Sequence, residues 1–433
     1  METAIKAANA AFSTFRCFNT NERINLLQKL LSVYEERFEE MAQAISIEMG
    51  APLDLARKEQ AASGLENLKM TISVLENFQF DRISHEGKDK LLYEPIGVAG
   101  LITPWNWPMN QISLKVAPAL GVGCTVVLKP SELAPLSAHL FAEFIDEAGF
   151  PAGVFNLVNG DGPTIGTYLS SHPLVDMVSF TGSTRGGISV AKNAADTVKR
   201  VSQELGGKSP NIIFSSANIE KAVTRGVRHC FHNTGQSCNA PTRMLVERSV
   251  YNDAVEIAGK VAEKTDVGLP SNEGRHIGPL VSQTQWQKVQ SLIQKAIHEG
   301  NNLVAGGAGK PEGFDNGYYV RPTIFSDVKN ENSIAREEVF GPVLAMIPFD
   351  TEKEAIEIAN DTPYGLAAYI NTENMEQGER VARALRSGNV HINGSSLSLT
   401  SPFGGYKQSG NGREKGEFGL HEFLEVKAIS GAA

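Results

Sequence analysis

Cysteine is sparse in this chain: four residues, Cys17, Cys124, Cys230 and Cys238, among 433. No two form a CxxC pair, so a disulfide framework, a redox dithiol and a zinc knuckle are all disfavoured. Such usage fits a reducing compartment, and a cytoplasmic protein is expected. Long apolar runs are lacking too. No stretch free of Asp, Glu, Lys and Arg is longer than Pro95 to Leu114, which holds three prolines, two asparagines and a glutamine that a membrane helix would not tolerate. No apolar run follows a basic start, so no secretory signal is expected. An excess of positive charge is missing as well. The 40 Lys and Arg against 49 Asp and Glu leave a net charge of −9, which argues against nucleic acid as the main partner. There is no HExxH and no G-x-S-x-G elbow, which disfavours a metallopeptidase or a serine hydrolase.

What is present is the composition of an ordered α/β protein, with 41% hydrophobic and 21% charged residues. The length suggests two or three domains. From Glu22 to Gly50, apolar residues recur at three- and four-residue spacing, which predicts an amphipathic helix, broken once at most and stopped by Gly50. From Pro95 onward, short apolar runs at 96–102, 125–128, 154–158, 175–180 and 211–214 alternate with helical segments such as Pro135–Gly149. That rhythm predicts a parallel sheet covered on both faces, with ligands at the carboxyl ends of its strands. A second alternating region has strands at 242–247, 318–325, 343–348, 367–371 and 389–393 and helices near 283–298 and 375–387. Residues 77–94 suggest a projecting hairpin, and 424–430 one more strand. There is no internal repeat and no Pro- or Ser-rich linker.

Several loops carry chemistry, and each has a plainer reading. Cys238, in Thr234-Gly235-Gln236-Ser237-Cys238-Asn239-Ala240-Pro241, is a thiol in a glycine-bearing loop and the best candidate nucleophile. Cys124 and Cys17 read as packing residues. In Pro104-Trp105-Asn106-Trp107-Pro108, two prolines hold the backbone around one amide, which suits an oxyanion donor or an aromatic plug. Lys129-Pro130-Ser131-Glu132 can hold a ribose diol or be a surface turn. Gly182-Ser183-Thr184 opens a helix and can receive a pyrophosphate or be a simple cap. Glu204-Leu205-Gly206-Gly207-Lys208 offers a general base or a charged strand end, its strand being expected at 198–201. Gly160-x-Gly162-x-x-x-Gly166 is one residue too long for a dinucleotide fingerprint and reads as a tight turn. His229 and His232 share a helix face, but without a second pair metal binding is a minority reading.

Taken in order, PWNWP, KPSE, FTGST, ELGGK, GQSC, EEVFGP (Glu337–Pro342) and PFGGYKQSG (Pro402–Gly410) resemble the aldehyde dehydrogenase superfamily from about Ala8 to the end. The resemblance implies an α/β fold of three parts: a nucleotide-binding parallel-sheet domain (1–75 and 97–205), a catalytic α/β domain (206–409) and a small β extension for oligomerisation (76–96 and 410–433). It implies that Cys238 is the nucleophile, Glu204 the general base, and Asn106, with the Cys238 N–H, the oxyanion hole. Lys129 and Glu132 would hold the adenosine ribose, Ser183 the pyrophosphate, and Glu338 the nicotinamide ribose beside Phe340. Thr103, Pro104, Trp105, Ser131, Gly182 and Leu205 complete the cofactor set, and Lys115 matches a lysine found around that site. The expected activity is oxidation of an aldehyde to the acid through a thiohemiacetal and a thioester. Glu204 favours the hydrolytic over the coenzyme A type, and Glu132 favours NAD, with NADP possible. A homodimer or homotetramer is expected, with no metal, nucleic acid or membrane partner. Against the family pattern the N-terminus is shortened, which bears on stability and assembly. The loop 395–401, rich in Ser, Leu and Thr, hints at a neutral substrate. Alternatives are a non-catalytic NAD-binding relative, an NADP-preferring semialdehyde dehydrogenase, or a thiol esterase side activity. A Cys238 thiolate near neutral pH would need surroundings that lower its pKa.

Overall fold

The amphipathic stretch from Glu22 to Gly50 forms two helices in the computed structural model, which describes residues 1–431. Asn19 starts the first, Thr20–Glu36: its side chain accepts the Glu22 N–H while Glu22 accepts the Asn19 N–H. The second, Phe38–Met49, ends at Gly50 in left-handed backbone with φ +77°, where a Cβ would lie 2.7 Å from the Pro279 ring. Leu27, Leu30, Tyr34, Met41 and Ile45 are fully buried in the large core that these helices share with helices Ala62–Asn77, Pro108–Val122 and Leu136–Glu147.

In chain order the strands are β1 (Asp81–Ile83), β2 (Asp89–Pro95), β3 (Val98–Ile102), β4 (Thr125–Lys129), β5 (Phe155–Leu157), β6 (Met177–Thr181), β7 (Arg200–Glu204), β8 (Pro210–Ile213), β9 (Arg243–Glu247), β10 (Asn302–Ala305), β11 (Thr323–Ser326), β12 (Val343–Phe349), β13 (Ala367–Asn371), β14 (Asn389–Ile392), β15 (Gly410–Asn411) and β16 (Leu424–Ser430). One sheet runs β15-β7-β6-β3-β4-β5 and is parallel apart from the β15–β7 edge. A second runs β10-β11-β12-β9-β8-β13-β14 and is parallel apart from β10–β11. The third, β1-β2-β16, is an antiparallel arm in which the 77–94 hairpin pairs with the tail. Every residue of β3 and β4 is buried, as strands covered on both faces require. In the first sheet β4 and β5 lie on one side of β3, and β6 and β7 on the other. That reversal opens a crevice at the carboxyl ends of β3, β4 and β6.

Four sequence expectations shift for identifiable reasons. The strand expected at 198–201 is β7, Arg200–Glu204, because Val198 sits 91% exposed at φ +53° in the preceding turn. The strand expected from Tyr318 starts only at Thr323, just past Pro322, which has no N–H for a ladder. The run 211–214 enters the second sheet, between β9 and β13, rather than the first. Cys17 is exposed rather than packed, with its thiol directed to the Ser13 carbonyl. Residues Gly162–Gly166 do form a tight turn into helix Thr167–Ser171, capped by Asp161.

Candidate active site

Glycines let three loops touch backbone to backbone. At Gly207, just past β7, a Cβ would sit 2.2 Å from the Cys238 carbonyl oxygen. At Gly206 it would sit 2.4 Å from Glu338 Oε2, and the Gly207 N–H donates to Glu338 Oε1 at 2.9 Å. Gly235 has φ +71°, and a Cβ there would lie 2.1 Å from the Gly341 carbonyl oxygen. The loops carrying Glu204, Cys238 and Glu338 are thus fastened together, and no side chain larger than hydrogen fits at the fastenings.

Asn106 follows β3 and is 3% exposed. Its Nδ2 donates to the Gln236 carbonyl at 3.0 Å, two residues before Cys238. Its own carbonyl accepts from Asn233 Nδ2 at 2.9 Å and from Gln60 Nε2 at 3.1 Å, so the residue is held from both ends. An amide NH2 has two donors; the second is free for an oxyanion. Trp107 Nε1 donates to Ser237 Oγ at 2.9 Å and its ring stacks on His232, which fixes the other flank of the thiol loop. His232 also pairs with Glu59, while His229 packs edge-on against Tyr369, so the two histidines are engaged separately.

Cys238 is partly exposed, unlike Cys124 and Cys230. The expectation of thiolate-favouring surroundings is overturned. Burial pushes its pKa up, the negative charges of Glu338, Glu204 and Glu414 add to the rise, and only its own backbone N–H opposes. Glu204 ends β7, is 4% exposed, and neither of its carboxylate oxygens has a hydrogen-bond partner. Burial, reinforced by the Glu414 charge, raises it well above the ordinary carboxylate range. Glu414 is itself held by the buried Lys115, whose Nζ lies 2.6 Å from Oε1 and 3.0 Å from Ser179 Oγ. The resting site therefore sets a thiol beside a carboxyl group whose hold on a proton is strengthened by burial, a pairing suited to proton transfer.

The crevice of the first sheet has donors of a different kind. Lys129, ending β4 and 3% exposed, directs Nζ to Glu132 Oε2 at 3.1 Å, a cation and a carboxylate spaced for a vicinal diol. Thr103 Oγ1 is buried without a partner after β3. Ser131 Oγ accepts the Leu133 N–H. Helix Thr184–Ala194 points its N-terminus here, with Ser183 Oγ accepting the Gly186 N–H and the remaining N–H groups open to an anion. Gly182 keeps the turn close to the Phe180 ring, and Leu205 packs on Gly187 at the foot of the same helix. Trp105, after Pro104, meets Phe340 edge-on at 5.5 Å, closing the space between this crevice and the thiol. A diol clamp, an orphaned hydroxyl and an anion-ready helix end together fit a dinucleotide.

The model of the aldehyde dehydrogenase family matches residues 1–429. The chain belongs to that family. It is 51% identical over 432 residues to a 3-succinoylsemialdehyde-pyridine dehydrogenase of a Pseudomonas species, covering 100% of this chain and 90% of that relative. Its fold is similar to the aldehyde dehydrogenase of Bartonella henselae, with a TM-score of 0.98, 55% identity, and coverage of 99% and 90% of the two chains. It is equally similar, at TM-score 0.98 and 48% identity over 100% and 89% of the chains, to a mutant of aldehyde dehydrogenase C from Pseudomonas syringae crystallised with NAD+ and octanal. The chain is thus an enzyme of the aldehyde dehydrogenase type, and no helix among its described residues is long and apolar enough to cross a membrane.

Three residues of this aldehyde dehydrogenase site escape sequence reasoning. Glu414 lies in a charged run, Gln60 and Asn233 in polar helical surroundings, and nothing local marks them. Only burial does: Gln60 is fully buried, with Asn233 4% and Glu414 5% exposed.

Proposed function

We propose that this chain oxidises an aldehyde to its carboxylic acid with NAD, using Cys238 as nucleophile, Asn106 as oxyanion donor and Glu204 as the base. The observation that carries this is the isolated Glu204 carboxylate. It is buried, unpartnered and electrostatically linked to the only partly exposed thiol of the core loops. In its carboxylate form Glu204 takes the Cys238 proton, which removes one of the charges opposing a thiolate. The sulfur then adds to the aldehyde carbon, and the new oxyanion is met by the free Asn106 N–H and the Cys238 backbone N–H, each such donor being worth roughly 3–4 kcal/mol. When bound, NAD supplies the hydride acceptor that leaves an acyl thioester on Cys238. Glu204, relieved of its proton towards the Glu414 carboxylate that Lys115 holds, draws a proton from water, and the resulting hydroxide opens the thioester. Lys129 and Glu132 hold the dinucleotide's adenosine ribose and Ser183 its pyrophosphate, with Thr103, Pro104, Trp105, Ser131, Gly182 and Leu205 completing the cofactor set. Glu338 and Phe340 hold the nicotinamide ribose.

In this reading residues 1–75 and 97–205 bind the nucleotide, 206–409 carry the chemistry, and 76–96 with 410–433 form a subunit contact through the arm. The test is direct. Protein incubated with NAD and a simple aldehyde forms NADH; Cys238→Ala loses all turnover, and Glu204→Gln holds a covalent acyl adduct seen as added mass. Full turnover by Cys238→Ala sinks the assignment.

A further inference from the structure

Beside the thiol loop lies a cavity of about 380 Å³ lined by, among others, Arg225, Lys415, His229, His391, Tyr369 and Asn239. Asn239 is the residue after Cys238, and its carbonyl accepts the Tyr369 hydroxyl at 3.0 Å. Tyr369 in turn stacks on His391 at 4.9 Å and meets His229 edge-on at 5.0 Å, so the wall nearest the nucleophile is rigid and aromatic. The charges are one-sided. No Asp or Glu lines this cavity among the described residues, whereas two cations do.

Both cations lack an ion pair. Arg225 uses one of its five donors, on Asn371 Oδ1, and loop residue Gly394 packs beside its guanidinium, where a Cβ would lie 2.5 Å from the guanidinium carbon. Lys415 is half-buried, and its side chain makes no hydrogen bond or salt bridge among the described residues. Its neighbour Glu414 is hydrogen-bonded by Lys115 instead, so Glu414 and the exposed Glu66 reach Lys415 only through their fields. Burial holds both cations below their ordinary pKa. A cation kept dry without an anion is costly, and a site that desolvates two of them gains when an anion arrives.

We propose that this cavity receives the far end of an aldehyde that carries a carboxylate, with Arg225 and Lys415 holding the anion while the carbonyl faces Cys238. The proposal rests on the oxidation reading above and narrows its substrate class. Hydrogen bonds from Arg225 are the directional part, Lys415 a less specific charge, and the Tyr369–His391 stack the apolar wall for the connecting carbons. This reverses the neutral-substrate hint of loop 395–401. That loop lines the cavity with Ser395, Ser396 and Leu397 and brings no charge, whereas the cations come from helix Ile219–Phe231 and from residue 415.

The experiment compares 4-oxobutanoate with butanal, and 6-oxohexanoate with hexanal, with NAD. Expected is a higher kcat/KM for the acid of each pair, a KM that rises with salt for the acids alone, and a fall of the acid-to-neutral ratio of about 30-fold or more in Arg225→Gln. Arg225→Lys, which keeps the charge, should recover part of that ratio. Equal kcat/KM within each pair, or an Arg225→Gln loss that strikes both members alike, overturns the proposal. If no aldehyde at all is oxidised, the oxidation reading has failed. Calorimetry of 4-oxobutanoate against butanal then decides the cavity alone: tighter binding of the acid that is lost in Arg225→Gln upholds it, and equal binding overturns it.

Discussion

Asn106 shows how much of the chemistry rests on single side chains. With its carbonyl fastened by Gln60 and Asn233, its amide needs no reorganisation when charge appears on the substrate oxygen. Asn106→Ala should therefore lower kcat by about 10²–10³ with little change in cofactor binding, measured by steady-state turnover against NAD titration. Glu204 sets the pH behaviour. Its pKa is raised in the folded protein, so the base form is lost as pH falls through a value above the ordinary carboxylate range. Turnover should climb along a single limb at that raised pH, and Glu204→Gln should erase the limb. Residue type and loop setting offered Cys238, Glu204 and Asn106 only as candidates, each with a plainer reading beside it, and it was the resemblance of the ordered motifs that gave them roles. Their protonation was not legible. The thiolate-favouring environment expected for Cys238 gave way to burial among Glu338, Glu204 and Glu414, which are 100, 34 and 176 positions away in the chain.

At the scale of elements, helix Gln283–His298 and strand β13 lie where apolar periodicity puts them, since each buries one repeating face or run, and the mostly exposed β16 lies where its alternation puts it. What periodicity missed was exposed or interrupted. Strand β10 shows two exposed residues and a bulge, and Val198 is an apolar residue spent on a turn. The glycine fastenings could be seen as letters but not as contacts. Gly207→Ala tests them: with a backbone oxygen 2.2 Å from the new Cβ, the thiol loop must shift, because no flexible side chain can yield. Expected is a folded protein with a lowered Tm and more than about tenfold loss of kcat/KM, since small misplacements of reacting groups cost that much or more. A variant with unchanged turnover would show that the contact does not position Cys238.

For the whole molecule, the dinucleotide crevice and the thiol cleft are coupled through β7, whose last residue is Glu204 and whose sheet also carries Lys129 and Ser183. A ligand that fills the crevice should stabilise the fold as a unit. At 100 times its dissociation constant NAD is expected to add about 2.7 kcal/mol, read as a rise in Tm. The Glu132 carboxylate beside Lys129 opposes a phosphate on the ribose 2′ oxygen, so NADP should raise Tm less, and Glu132→Gln should narrow the gap. The two sheets and the arm were each readable from strand–helix order, but the crevice needed the strand permutation, which chain order does not contain.

The contact between Gly207 and the Cys238 carbonyl has one more consequence. Main chain pressed on main chain leaves no play for a jaw that opens and shuts, so whatever enters or leaves must thread between fixed walls. Pace would then be set by the rotation of a few side chains and by the escape of the guest.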